Sequence, residues 1–241
     1  MAGCAQAQFL RPPDNFVIDG VPPISEELVG RLQAYTDFKP SSMVAWHPAL
    51  PSMLIRTRLN DTMHLHLVSA PGQKPVLVTE FPDGTIDASF APRKGEYLLF
   101  ETARRDNEAI QIHRFDLATK ALTAISDSKV RAGTPAWNRK GDRIVYTTTN
   151  VVRSDETSMQ VTKLVLSDPM KPEANKVIAT LEGGRWSDFH FSPDDRMLVF
   201  TEALSANESH IWMLNIASGE KRRITTQKNV DSSTVFYGAP K

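Results

Sequence analysis

The stretch Phe189-His190-Phe191-Ser192-Pro193-Asp194-Asp195-Arg196-Met197-Leu198-Val199-Phe200-Thr201 decides how this chain is read. A short run ending in an aromatic residue meets a Pro/Asp turn, and a second run that is nearly all apolar follows. Short runs rich in β-branched and aromatic residues between turn formers are strands, and an all-apolar strand is one covered on both faces. The same order occurs three times upstream. Val44-Ala45-Trp46-His47-Pro48 leads to Met53-Leu54-Ile55, Ala88-Ser89-Phe90-Ala91-Pro92 to Gly95 and Tyr97-Leu98-Leu99-Phe100, and Pro135-Ala136-Trp137-Asn138 to Gly141 and Ile144-Val145-Tyr146. The anchors Trp46, Phe90, Trp137 and Phe191 lie 44, 47 and 54 residues apart.

Each copy carries two more strands. His64–Ser69, Ile110–Asp116, Gln160–Leu166 and His210–Asn215 take the third place, and Pro75–Thr79, Ala121–Ser126, Lys176–Leu181 and Arg222–Thr225 the fourth. The turns between them match in length, as in Asp116–Lys120 and Asn215–Gly219. A four-stranded antiparallel unit recurring every ~40–50 residues is the signature of a propeller blade. The fold expected is therefore all-β: a partial β-propeller of about four blades, over 41–86, 87–133, 134–185 and 186–229, behind one short helix. A β-sandwich is the rival fold, but it does not predict the recurrence of aromatic, turn and apolar strand. Gly95 and Gly141 are expected to supply positive φ after the first turn, with Asp195 replacing glycine in the last copy because Asp visits that region more readily than most residues.

Outside the repeat, residues 1–15 read as a disordered tail or the stump of an export signal: Ala2-Gly3-Cys4 looks like the end of a lipobox and Ala5-Gln6-Ala7 like a cleavage site. In the segment 16–40, Leu28, Leu32 and Tyr35 recur at helical spacing, Ser25 can cap, and Glu26 and Glu27 sit at the positive end of the dipole. Ile24 can staple onto Val29. These predict a helix over about 25–35 that docks on whatever follows. Residues 230–241 read as the lead-in to a fifth blade, so the 241-residue length fits a propeller cut in its middle.

Composition removes several function classes. Lys+Arg and Asp+Glu number 28 each, so the net charge is zero and there is no basic surplus for nucleic acid or an anionic membrane. No apolar run reaches the length of a membrane span. The lone Cys4 excludes an intrachain disulfide and a cysteine-based metal cluster.

Phe191–Thr201, followed by Ile211–Glu220 and Arg222–Thr225, resembles the WD-repeat-like blades of two groups: the periplasmic TolB-type propellers, and the propeller that precedes the catalytic domain in prolyl oligopeptidase-family serine peptidases. Ile18–Leu28, Trp46-His47-Pro48, Met53–Arg58, Asp61-Thr62, His64–His66 and Phe100–Asp116 resemble the start of the bacterial dipeptidyl or acylaminoacyl peptidases of that second group. The resemblance covers about 16–229 and implies a propeller that filters peptide substrates. Its catalytic half would carry a G-x-S-x-G elbow with later Asp and His. No G-x-S-x-G occurs in this sequence, so the resemblance places no catalytic residue here. It implies a non-catalytic segment of a periplasmic or secreted peptidase, with a cytoplasmic location as the alternative. A TolB-like scaffold for a protein partner is the competing reading.

The remaining candidates favour structural roles. His64 and His66 share one strand face, a spacing that suits two metal ligands, but no third ligand accompanies them. His47, His113, His190 and His210 are scattered through the other repeats. Glu101-Thr102-Ala103-Arg104-Arg105-Asp106-Asn107-Glu108 reads as a solvated loop, although related peptidases hold a substrate terminus with such a loop. Gly183-Gly184-Arg185-Trp186 reads as a crossover between blades rather than an anion cradle, since no helix follows. Trp46, Trp137, Trp186 and Trp212 read as packing between sheets. No catalytic, cofactor-binding or metal residue and no cofactor is assigned. An open array of blades is expected to self-associate, because its end faces are left bare.

Overall fold

The computed structural model describes residues 8–59, 62–103, 109–153 and 158–225. The chain divides into two compact units, Met1–Ser41 and Ser42–Lys241.

In the first unit, a loop is pinned at its neck by a bridge between Phe9 and Ser25, and the Leu10 N–H donates to the Ile24 carbonyl at 2.9 Å. The helix α1 (Glu26–Thr36) follows, with the Ser25 hydroxyl accepting from the Leu28 N–H at 3.2 Å as an N-cap. The expected helix therefore forms with its expected cap. None of its residues is buried, however, and Leu28, Leu32 and Tyr35 all stand exposed.

The second unit is all β. Four antiparallel sheets in a propeller arrangement are present among the described residues. The first sheet contains β1 (Ser41–Trp46), β2 (Met53–Leu59), β3 (Thr62–Val68) and β4 (Val76–Leu77) in sequence order. The second contains β5 (Ala88–Phe90), β6 (Tyr97–Ala103), β7 (Ile110–Asp116) and β8 (Leu122–Ala124). The third holds β9 (Arg131–Ala132), β10 (Ala136–Trp137), β11 (Ile144–Arg153), β12 (Ser158–Ser167) and β13 (Lys176–Glu182). The fourth holds β14 (Arg185–Phe191), β15 (Met197–Ser205), β16 (Glu208–Asn215) and β17 (Lys221–Arg223). The extra strand of the third sheet is one inner strand in two pieces. Both β9 and β10 pair with β11, and Pro135, which has no N–H to donate, lies in the gap between them.

Each sheet has two faces, called leading towards the next sheet in sequence and trailing towards the one before, and the core lies in the three seams between successive sheets. The first seam packs Leu54 and Leu65 against Phe90, Leu98 and Phe100. Leu99, Ile112 and Ile125 meet Ile144, Tyr146 and Trp137 in the second. In the third, Val145 and Leu164 meet Phe191, Leu198 and Phe200. The aromatic anchors thus lie on trailing sides, and the all-apolar second strand is apolar because each of its faces lines a different seam. Trp46 departs from the expectation of packing between sheets: it is 64% exposed, whereas Phe90 is 5% and Phe191 7% exposed. Its trailing side has no preceding sheet among the described residues.

The first turns of successive sheets stack on one another. Gly95, Gly141 and Asp195 have φ of 67°, 73° and 60°, as the repeat predicts. A Cβ on Gly95 would lie 2.5 Å from Nε2 of His47, and one on Gly141 2.7 Å from Cβ of Pro92. Glycine is needed there for space as well as for φ. The matching hairpins also form: the Asp116 carboxylate accepts from the N–H groups of Ala118 and Thr119, and the Asn215 side-chain oxygen from those of Ala217 and Ser218.

Candidate functional site

Three residues before the anchors Phe90, Trp137 and Phe191 stand Asp87 and Thr134, just ahead of β5 and β10, and Asp188, in the middle of β14. Between the third and fourth sheets this edge opens into a cleft of about 380 Å³ lined by Thr134, Pro135, Trp186, Ser187, Asp188, Phe189 and His190. A second hollow of about 290 Å³ shares Ala136, Phe189 and His190 with it and runs on to Arg139 and Pro193. A smaller one of about 180 Å³, between the second and third sheets, holds Asp87, Ser89, Glu101 and Thr134.

Local irregularity shapes the larger cleft. The pairing of β14 with β15 shifts register between Ser187 and His190, and Asp188 there has φ of 55°. Such a bulge re-aims side chains and bends the strand. Ser187 donates its hydroxyl to the Asp188 carboxylate at 3.0 Å, and Trp186 is fixed by its Nε1–H donating to the Gly183 carbonyl at 2.9 Å. Gly183 and Gly184, both at positive φ, make the link from β13 to β14, and the Gly183 N–H is taken by the Gln160 carbonyl at 3.1 Å.

In the smaller hollow, Glu101 is 4% exposed. Burial pushes its carboxyl above the ordinary carboxylate range, against a hydrogen bond from the Thr134 hydroxyl at 3.4 Å, and nearby Asp87 pushes the same way as burial. Residues 104–108 of the charged run lie outside the described residues; Glu101, Thr102 and Ala103 complete β6 rather than a loop.

The imidazoles are dispersed. His64 and His66 do share a face of β3 and are both buried. Nε2 of His64 lies 2.6 Å from the Thr62 hydroxyl, and Nδ1 of His66 lies 3.2 Å from the His64 carbonyl. His47 accepts the Ala49 and Leu50 N–H groups on Nδ1. His113 stacks on Phe100 and Phe81, and its burial lowers its pKa. Nε2 of His210 meets Glu208 at 3.3 Å, and His190 lines the large cleft. Among the described residues no group of three or more His, Cys, Asp or Glu is placed to hold a metal ion. Among the described residues, hydroxyl–imidazole pairs join Thr62 with His64 and Thr102 with His113. Neither forms a nucleophile–base–acid relay: Nδ1 of His64 has no partner, and His113 lies between aromatic rings.

One recurrent feature escaped the sequence reading. A hydroxyl just beyond the fourth strand receives a third-strand N–H in three sheets: Leu65 to Thr79 at 3.1 Å, Ile112 to Ser126 at 2.9 Å, and Ile211 to Thr225 at 3.0 Å. The signal was present in the fourth-strand endings Thr79, Ser126 and Thr225, but hydroxyl residues near turns are too common to stand out.

The cleft thus offers the Asp188 carboxylate, hydroxyls and aromatic faces, and no hydroxyl–imidazole–acid relay occurs among its described lining residues. No family model and no curated protein sequence matches the chain. Solved structures do. A putative TolB from Agrobacterium tumefaciens superposes with a TM-score of 0.52 at 14% identity, over 73% of this chain and 61% of its own. An oligogalacturonate lyase from Vibrio parahaemolyticus gives 0.60 at 15% identity, over 78% and 53%. An acylaminoacyl peptidase from Pyrococcus horikoshii gives 0.57 at 12% identity, over 80% and 34%. This chain therefore spans less than two thirds of each of these proteins, and the likeness is one of fold, a β-propeller of the kind they share.

Proposed function

We propose that the chain is the non-catalytic propeller segment of a prolyl oligopeptidase-type serine peptidase, gating and filtering peptide access to a hydrolase domain that lies outside these residues. The observation that carries this reading is the resemblance of Ile18–Leu28, Trp46-His47-Pro48, Met53–Arg58 and Phe100–Asp116 to the start of such peptidases, with Phe191–Thr201, common to both groups, folding as the turn and covered strand of a blade. Fold alone does not assign function, so the site supplies the second support. Hollows of about 380 and 290 Å³ between inner strands suit a few side chains of an extended peptide and are too small for a folded domain. Asp188 supplies an acidic group in the larger of these hollows. A periplasmic or secreted location goes with this reading. The alternative, a TolB-like scaffold for a protein partner, draws its support from the similarity to the putative TolB structure.

The test is labelling with a fluorophosphonate. The complete product of the gene is expected to label at a serine outside residues 1–241, while the 241-residue chain stays unlabelled. A labelled serine within 1–241, or an unreactive complete product, would overturn the proposal.

A further inference from the structure

The hollow between the second and third sheets holds an acid that the repeat does not require. After Phe100, Tyr146 and Phe200 on the second strands come Glu101, Thr147 and Thr201, all buried. Threonine fills that place in the third and fourth sheets, so packing there calls for no charge. Among the described residues the Glu101 carboxylate receives one hydrogen bond, from the Thr134 hydroxyl to Oε2 at 3.4 Å. That is long for an O–H···O bond, and Oε1 receives none. Asp87 adds a second negative charge to the hollow, and no Lys or Arg is among its described lining residues. Residues 104–108, which follow β6 in the sequence, carry two basic and two acidic side chains and so no net charge. A 4% exposed carboxylate that is short of partners and faces a second acid is costly unless something pairs with it.

The lining decides which cation suits the hollow. Leu99, Phe100 and Pro135 give it apolar walls, Glu101 lies buried, and Asp87 and Thr134 stand exposed. Its volume of about 180 Å³ is below the range of a pocket for a whole small molecule and suits one side chain. We infer that it takes the side chain of a lysine in a bound peptide, with the alkyl stem on the apolar walls and the ammonium between Glu101, Asp87 and the Thr134 hydroxyl. Lysine stems cover apolar surface while the charged head seeks polar partners. The ammonium is compact and has three donors to set against two carboxylates and a hydroxyl, whereas a guanidinium is a wide planar fork. Burial has already stripped the Glu101 carboxyl of water and pushed its pKa up, and an ammonium beside it would draw that pKa back down. Thr134 and Pro135 line the larger cleft as well, so a peptide lying there has this hollow beside it. The inference deepens the peptide reading above and rests on it for the peptide.

The test follows the Trp137 indole N–H resonance in the isotope-labelled 241-residue chain, identified by its loss in Trp137→Phe. That N–H donates to Ser89, which lines the hollow. The probes are an acetylated and amidated Gly-Gly-Lys-Gly-Gly peptide, its Nε-acetyl-lysine and norleucine analogues, and n-butylamine. Both peptide ends are capped, so only the side chain carries charge. The lysine peptide is expected to shift the resonance with a dissociation constant about tenfold or more below those of its two analogues. Glu101→Gln keeps the shape of the side chain and should lose most of that preference with the rest of the spectrum unchanged. No shift with the lysine peptide, equal binding of the three peptides, or an undiminished preference in Glu101→Gln would overturn the proposal. Binding of n-butylamine as tightly as the lysine peptide would do the same, by assigning the hollow to a free amine. A lysine preference in a protein whose complete gene product ignores the fluorophosphonate would sink the hydrolase reading alone. A product that labels as expected, with no lysine preference, would sink this inference alone.

Discussion

The Asp195 carboxylate grips the turn that Asn138 begins in the preceding sheet. Its Oδ1 accepts the Arg139 N–H at 2.7 Å, and its Oδ2 accepts the Lys140 N–H at 3.2 Å and the Asn138 side-chain amide at 3.1 Å. At the same position Gly95 and Gly141 supply positive φ and clearance but no side-chain grip. Asp195→Ala loses the grip and keeps the strained φ of 60°, for an expected loss of about 1–3 kcal/mol in urea unfolding. Asp195→Gly loses the grip but relieves the strain, so it should be the milder of the two. Equal losses would show that the bonds across the seam matter and the φ does not.

The glycine ladder makes a second comparison. Gly95→Ala drives a Cβ into the His47 ring at φ of 67°, whereas Gly72→Ala meets open space at φ of 76°. Both carry the left-handed penalty of about 1 kcal/mol. Only Gly95→Ala also has to displace His47 from its contact with Phe90. Its midpoint in thermal unfolding should fall clearly further than that of Gly72→Ala.

Trp137 Nε1–H donates to the Ser89 hydroxyl at 3.0 Å across the second seam. Ser89→Ala and Trp137→Phe should each cost about 1 kcal/mol from this bond, the latter more because ring area is also lost. A double-mutant cycle should show coupling between them, and additive effects would mean that the bond contributes nothing to stability.

Two limbs of the pH–stability curve follow from buried acids. Burial raises the carboxyl pKa of Glu101 in the folded state, so folding favours its protonated form. The stability present below the unfolded carboxylate pKa is lost as pH rises through the higher folded one. Glu101→Gln should therefore be more stable than wild type at pH 7, and the gap should close towards pH 4. Tyr97 and Tyr146 are both pushed up to about 12 by burial. Their phenols ionise first in the unfolded chain, near 10, so stability should decline from about pH 10 to pH 12. Tyr146→Phe should flatten part of that decline in denaturant titrations across this range.

What the sequence revealed was whatever repeats at close range. The anchor, turn and covered strand stand out because each is a local pattern, and the turn residues Gly95, Gly141 and Asp195 adopt the backbone they imply. The helix and its Ser25 cap were legible for the same reason. Relations across sheets were not legible. Nothing near Asp195 in the sequence announces that its carboxylate answers N–H groups 55 and 56 residues away. Nor does Trp46 differ in sequence context from Phe90; what sets it apart is that no sheet precedes it among the described residues. The cleft around Asp188 depends on a register shift in β14, and a one-residue slip in pairing leaves no compositional trace.

Slicing the core into seams affects cooperativity. Among the described residues the second and third sheets are clamped from both sides, whereas the first and fourth each share in one seam. Unfolding should then run inward from the ends in the manner of a zipper, with nearest-neighbour coupling in place of one all-or-none transition. Amides of β6 and β11 would exchange with deuterium last, and those of β2 and β15 earlier, although all four strands are paired along their length with the following strand of their own sheet. Any segment or ligand that covers an outer sheet would slow exchange most in that sheet, by giving it a second seam.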